Sequence, residues 1–185
     1  IGLTMDDEGI PAGAEKRVEI AETIIGRAIE IGIPREDVII DPLAMAISAE
    51  SRAGVETLRA LQMIRDALGV NQTLGLSNIS FGLPGRHQVN GAFLAMAVQN
   101  GLTCPITDPT VWDMKQARLL VDLILGRDPF CAAYISGLAK ATGRDTLEES
   151  GGTVDLESLK YSVIHGKRET AREITQRALD AGTDP

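Results

Sequence analysis

Apolar positions follow two alternating patterns along the chain. Short aliphatic and β-branched runs stand at Ile1–Met5, Val38–Ile40, Thr73–Ile79 and Thr103–Thr107, each too short for a helix and bounded by turn residues. Between them, apolar residues repeat at helical spacing. A helix is predicted from Ala14 to Ile31, with Val18, Ala21, Ile25, Ala28 and Ile29 on one face and Gly32 closing it. A second, from Val55 to Leu68, turns Val55, Leu58, Leu61, Ile64 and Leu68 inward. Two more are predicted over Val89–Asn100, stopped by Gly101, and over Val111–Leu125. Asp6-Asp7-Glu8-Gly9-Ile10-Pro11 and the glycine-rich Ser80–Arg86 read as loops.

Four βα units with short connections predict an α/β fold with a parallel sheet, either doubly wound or part of a barrel. No Gly-x-Gly-x-x-Gly opens any of these helices, so a dinucleotide-binding sheet loses its main support. In a barrel, functional residues gather where strands end. Asp41, Asn78 and Asp108 stand at the predicted strand ends, which favours the barrel.

The texture changes after Ala141. Residues 141–153 are polar, glycine-containing and aperiodic, and read as a linker. Residues 154–185 carry two helical stretches, Leu156–His165 and Arg168–Ala181, broken at Gly166. Leu156, Leu159 and Val163 share one face of the first, and Ala171, Ile174 and Ala178 one face of the second. Two short helices bury too little to stand alone, so the start of a helical bundle is expected. The opening Ile1-Gly2-Leu3-Thr4-Met5 reads as a strand in mid-fold with no initiator methionine, and a segment of a longer polypeptide is expected.

Composition narrows the function classes. Aromatic residues are only 3% of the 185, so Ala, Ile, Leu and Val must fill the core. No run approaches a membrane span and no basic segment precedes an apolar one, so a soluble, cytoplasmic protein is expected. The net charge of −8 argues against nucleic acid as a partner but leaves room for a small anionic ligand. Cys104 and Cys131 have neither Cys-x-x-Cys spacing nor a histidine nearby, and are predicted to be buried, reduced thiols.

Few residues suggest chemistry. Asp41, ending an aliphatic strand, suits a ligand with two adjacent N–H donors, or else it organises the turn before Pro42. Asn78 interrupts the apolar third run. Its amide can donate or accept, so it either follows a ligand nitrogen whose protonation changes or bonds the neighbouring loop. Arg86 follows Gly82, Pro84 and Gly85, and either holds a carboxylate or stacks on a ring of a ligand, or is solvated. His87 reads as an exposed loop residue, and His165 as solvated or engaged with the last carbonyls of its helix. The Asp6-Asp7-Glu8 run reads as a solvated loop face. No Cys/His cluster has metal spacing, and no serine-hydrolase order or elbow occurs.

Taken together, Leu3-Thr4-Met5 with Gly9-Ile10-Pro11, Ile40-Asp41-Pro42-Leu43, Gly75-Leu76-Ser77-Asn78-Ile79-Ser80 and Asn100-Gly101-Leu102 carry a resemblance. Residues 1 to about 140 resemble the methyltetrahydrofolate-binding methyltransferases: the folate domain of cobalamin-dependent methionine synthase and the methyltetrahydrofolate:corrinoid methyltransferases. The resemblance implies an eight-stranded (β/α)8 (TIM) barrel of the dihydropteroate synthase type, with residues 1–140 as its second half, strands five to eight. It implies that Asp41 holds the pterin edge, that Asn78 reaches the methyl-bearing N5, and that Arg86 contacts the folate, with Gly75 and Ser77 in the same substrate-binding segment. An aspartate and an asparagine on earlier strands would complete the site. The substrate implied is 5-methyltetrahydrofolate. Its methyl group would pass to the cobalt(I) of a cobalamin or other corrinoid on a partner domain or protein.

Residues 156–185 resemble the first helices of the cap that precedes corrinoid-binding domains, but Asp-x-His-x-x-Gly, which ligates cobalt in many of those domains, is absent. Dihydropteroate synthases place Ser-Arg-Lys after the seventh strand and Arg-x-His at the eighth; here those places read Ser77-Asn78-Ile79 and Ile106-Thr107-Asp108. A non-catalytic half-barrel is the reading from another class. The expected partners are a corrinoid protein or domain, the other half of the barrel, and in some assemblies a second copy of the chain.

Overall fold

A computed structural model describes residues 1–142 and 156–180. Two compact units divide at Val121, one spanning Ile1–Val121 and the other beginning at Asp122.

The first unit holds four strands: β1 (Gly2–Leu3), β2 (Ile39–Asp41), β3 (Asn71–Gly75) and β4 (Cys104–Ile106). All neighbours pair in parallel, in the order β1-β2-β3-β4. Helices follow each strand: α1 (Ala14–Glu30), α2 (Ala53–Leu68), α3 (Arg86–Gln99) and α4 (Trp112–Ile124). The strand order nowhere reverses, so these four strands contain no switch point of the doubly wound kind.

The register assigns the faces. Gly2 pairs with Ile40, Ile40 with Gln72, and Leu74 with Pro105, so these positions share one side of the pleat. On that side Ile40 and Val38 pack with Val18, Ala21 and Ile25 of α1 and Ile64 of α2. Leu74 and Leu76 pack with Leu61 of α2, Phe93, Leu94 and Ala97 of α3, and Met114 and Ala117 of α4. Fully burying one such aliphatic side chain is worth roughly 1.5–3 kcal/mol, so this layer is the main apolar stabilisation of the unit. All four helices therefore lie on one face. The other face carries Leu3, Ile39, Asp41, Thr73, Gly75, Cys104 and Ile106, and no helix of this unit covers it. Sequential parallel strands with helices on one side only are the geometry of half a (β/α)8 barrel, whose bare face is the lumen.

Several expected boundaries and faces shift. Ile29 is 50% and Val55 49% exposed, because α1 and α2 turn polar residues inward in their place. Those residues are Arg17 on α1 and Glu56 and Thr57 on α2. The carboxylate of Glu56 accepts the Ala14 N–H (3.2 Å), so α2 caps α1 from the side. The third strand begins at Asn71 and ends at Gly75, and Leu76–Ser80 is a 3-10 turn rather than strand. Arg86 is the first residue of α3 and not part of the loop. Cys104 and Cys131 are free thiols but both are exposed: Cys104 lies on the outer strand β4, whose residues are all exposed, and Cys131 sits in a tight turn at φ 61°. Gly32 closes α1 as expected. At φ 85° it lets its own N–H reach Ile29 O (3.0 Å) and the Ile33 N–H reach Ala28 O (2.9 Å).

In the second unit, α5 (Ala132–Thr142) has no counterpart in the expected elements. Asp128 starts it, accepting the Ala133 and Tyr134 N–H groups at 2.9 Å each. The linker expected over 141–153 falls, from residue 143 on, outside the described residues. Helices α6 (Leu156–Ile164) and α7 (Arg168–Asp180) flank Gly166 at φ 64°. Ile174 and Ala178 of α7 are buried as expected, whereas Val163 of α6 is 65% exposed and its neighbour Ser162 takes the inner place. His165 lies against the Tyr161 ring, and its Nδ1 is 2.8 Å from Tyr161 O at the end of α6. Among the described residues, no helix is long and apolar enough to cross a membrane.

Candidate functional site at the strand C-terminal rim

Parallel pairing puts the C-terminal ends of all four strands on one rim, so the connections after β2 and β3 emerge side by side. Asp41 ends β2 on the bare face and is 8% exposed. Its Oδ1 accepts the Leu43 N–H at 2.8 Å, and Oδ2 takes no hydrogen bond among the described residues. Burial pushes the Asp41 pKa above that of an ordinary aspartate, and the Leu43 N–H offsets part of the rise. The turn role and the ligand role foreseen for Asp41 are thus compatible, since Oδ2 is open and Oδ1 keeps a second lone pair beside its bond to the Leu43 N–H.

Asn78 lies three residues beyond Gly75, which ends β3. It is exposed, and its side-chain amide has no partner among the described residues. The amide folds back over Gly75, where an added Cβ would stand 3.1 Å from Asn78 Nδ2; only glycine leaves that approach open. Arg86 holds the turn from outside, its Nη2 donating to Ser77 O (2.9 Å) and its Nε to Ser80 Oγ (3.1 Å). Ser80 Oγ in turn donates to Ser77 O (3.2 Å), so the turn carrying Asn78 is braced at both ends.

Two further bonds join the Asp41 and Asn78 connections. Ile47 N–H donates to Ile79 O (3.1 Å), and Ser48 Oγ donates to Phe81 O (2.6 Å). Gly82, at φ 78°, leaves the space that Ser48 Oγ fills, 3.3 Å from where a Cβ would sit. Asp41, Gly75, Ser77, Asn78 and Arg86 therefore belong to two mutually bonded connections on one rim.

Asp108 stays outside this group. Its Oδ1 accepts the Thr110 hydroxyl (2.6 Å) and the Thr110 N–H (2.8 Å), bonds that hold its carboxyl below the usual range and assign it to the turn before α4. His87 is exposed on the first turn of α3 and near enough to lower the Asp108 pKa further. Among the described residues no group of three or more His, Cys, Asp and Glu could hold a metal ion. A surface groove between α1 and α2, lined by Val18, Arg59, Gln62, Met63, Asp66 and Ala67, contains none of the rim residues.

Two rim residues escaped the sequence reading. Arg17 is 1% exposed and donates to Pro11 O, Pro42 O and Leu43 O (2.8, 3.0 and 2.9 Å), yet in Glu15-Lys16-Arg17-Val18-Glu19 it looks like one more surface charge. Thr4, fully buried after β1, donates its N–H to Asp41 O (3.1 Å), while its hydroxyl has no partner among the described residues. It stands in the Leu3-Thr4-Met5 segment that carries the resemblance, but nothing in the sequence marks it as bonding Asp41.

Residues 4–108, more than half of the chain, match the family described as "Pterin binding enzyme". The chain is 34% identical to a methylcorrinoid:tetrahydrofolate methyltransferase of Eubacterium limosum, in an alignment covering 72% of this chain and 50% of that protein. It is 33% identical to a methionine synthase of Mycobacterium tuberculosis and 39% identical to one of Mycobacterium leprae, each alignment covering 91% of this chain and 16% of the relative. The chain thus spans half the length of the first of these relatives and about a sixth of the others. The matched segment runs from Thr4 through both bonded connections to Asp108 and so contains the whole rim: this chain belongs to the pterin-binding enzyme family.

Proposed function

We propose that the protein carrying this chain binds 5-methyltetrahydrofolate at the rim formed by the β2–α2 and β3–α3 connections. Its N5 methyl group then passes to the cobalt(I) of a corrinoid on a separate domain or protein. The observation that carries this reading is a buried carboxylate, Asp41, joined through bonded loops to an exposed amide, Asn78; one oxygen of the first and the whole of the second are unengaged among the described residues.

A carboxylate accepts two parallel N–H donors, and the amino-pyrimidinone edge of a pterin presents that pair. Arg86 uses Nε and Nη2 on the Asn78 turn, which leaves Nη1 for the folate. N5 is a tertiary amine and a poor leaving group, so it must gain a proton or a strong hydrogen bond by the transition state. Asn78 does not ionise. Its part is to orient N5 and stabilise the charge there, which is an electrostatic and positional contribution. The Eubacterium limosum relative is named for transfer from methylcorrinoid to tetrahydrofolate, and by microscopic reversibility one site serves both directions.

Neither histidine of this chain stands in a corrinoid-ligating setting. Of the two histidines, His165 is engaged with Tyr161 and His87 lies in an exposed helix turn without the Asp-x-His-x-x-Gly context. The corrinoid belongs to a partner, and the lumen face needs the complementary strands of the barrel. The reading is tested by calorimetric titration of methyltetrahydrofolate into this chain alone and into the assembled barrel, followed by single-turnover transfer read from the cobalt(I) absorbance. Binding and transfer by the assembled barrel are expected; an assembled barrel that binds no reduced folate would overturn the proposal.

A further inference from the structure

Arg17 is buried, while its neighbours Glu15, Lys16 and Glu19 are exposed. Among the described residues, no carboxylate bonds its guanidinium. Nε donates to Pro11 O (2.8 Å), and Nη1 donates to Pro42 O (3.0 Å) and Leu43 O (2.9 Å) and lies 3.4 Å from Thr57 Oγ1. One cation therefore ties the β1–α1 connection to the turn directly after Asp41. Burial draws the Arg17 pKa down, with the charge of Glu56 acting against it. An aliphatic side chain would fill the same space without that penalty, so packing does not account for an arginine here.

The turn it grips has a further peculiarity. Leu43 stands at φ 64°, a left-handed conformation that a leucine holds only where its surroundings dictate it. In that conformation the Leu43 N–H meets Asp41 Oδ1 at 2.8 Å while the Leu43 carbonyl meets Arg17. We propose that Arg17 is a positioning residue for ligand recognition: by holding the Pro42 and Leu43 carbonyls, it fixes the turn whose N–H orients the Asp41 carboxylate. The inference rests on the reading of Asp41 as the acceptor for the pterin edge.

The test uses the complete barrel and the substitution Arg17→Lys, which keeps the charge but gives one ammonium too small to span both connections. Without a fixed Leu43 N–H, burial acts on Asp41 unopposed, so its carboxyl carbon should titrate at higher pH by NMR than in the parent. Methyltetrahydrofolate affinity should fall about tenfold, and by less than about twofold when Asp41 is already Asn, because coupled sites are not additive. An Arg17 with a merely structural role would lower the melting temperature, leave the Asp41 titration in place and cost the same affinity in both backgrounds; that result overturns the inference. If the parent binds no methyltetrahydrofolate, the proposed function fails, while the ligand-free titration still decides the role of Arg17. Should Arg17→Lys not fold, Thr57→Val removes the hydroxyl lying 3.4 Å from both Arg17 Nη1 and Leu43 O, and the titration is expected to move the same way. An unmoved titration there also overturns it.

Discussion

Asp41 and Asn78 differ in when their contacts with a folate would matter. Asp41→Asn replaces an acceptor oxygen facing two donors with an NH2 group, a penalty equal in ground and transition states. Affinity should fall by about 1.5–3 kcal/mol, one to two decades in Kd, with little change in the rate at saturation. Asn78→Ala should do the reverse, slowing transfer by roughly 10²–10³ with a smaller loss of binding. Equilibrium titration and single-turnover transfer on the two variants check the split, and parent-rate transfer by saturated Asn78→Ala would remove its assigned role. The raised pKa of Asp41 adds a pH dependence: as pH falls toward the raised value, the carboxylate is protonated earlier than an ordinary aspartate at 3.8, so folate affinity should begin to drop at a higher pH. Asp41→Asn should abolish that limb in a binding profile. The stability linkage has the opposite sign. Protonation favours the folded state, so the buried charge costs stability as pH rises from 3.8 to the folded value, and the cost is constant beyond. The placement of Asp41 and Asn78 on one rim was legible in the sequence because Asp41 closes an aliphatic run and Asn78 interrupts one. Arg17 was not, because a charged residue between charged residues on a helix looks solvated until the carbonyls it serves, from Pro11 to Leu43, are brought around it.

The elements that carry these residues depend on glycine at one tight place. Gly75 has an ordinary backbone (φ −70°), but a methyl there would stand 3.1 Å from Asn78 Nδ2. The amide is the free end of a flexible side chain, so it would move and the backbone would stay. Gly75→Ala should therefore leave the melting temperature nearly unchanged while slowing transfer on the order of tenfold, through the displaced Asn78. A stopped-flow rate beside a thermal melt separates the two effects, and a large loss of stability with an intact rate would contradict this account. Periodicity located α1 and α2 but rotated their faces, because it counts only apolar residues. Glu56 is buried to cap Ala14 and Thr57 to meet Arg17 and Leu43, so Val55 turns outward instead. The strand expected through Ile79 ends at Gly75 because Leu76 and Ile79, apolar in sequence, are buried by a 3-10 turn. Helix α5 was missed since Ala132-Ala133-Tyr134-Ile135-Ser136-Gly137-Leu138 has small and apolar residues without a clear helical repeat, and its start signal is Asp128, four residues ahead of its first residue.

For the whole molecule, the bare side of the sheet and the two outer strands decide behaviour in solution. Leu3 (44% exposed) and Ile106 (58%) stand on that face, and among the described residues no strand pairs with the outer edges of β1 and β4. These edges are expected to be covered by the remaining polypeptide, another chain or a second copy. Light scattering on the 185-residue chain alone should therefore show association, and a monodisperse, folded monomer would contradict the expectation. Cys104, exposed on β4, gives a second readout: its thiol should react more slowly with a labelling reagent once the complementary strands are added. Repeated βα units made the barrel legible, since four aliphatic runs separated by single helices leave little topological freedom. The exposure of Cys104 was not legible, because an uncovered β-strand reads like a covered one. The sequential strand order has one more consequence, for biosynthesis. Each strand docks only on the one made just before it, so no contact in the sheet waits for a distant part of the chain. The layer can grow unit by unit as the ribosome releases it, at about 5–20 residues per second, with the newest edge always the one left open for the next arrival.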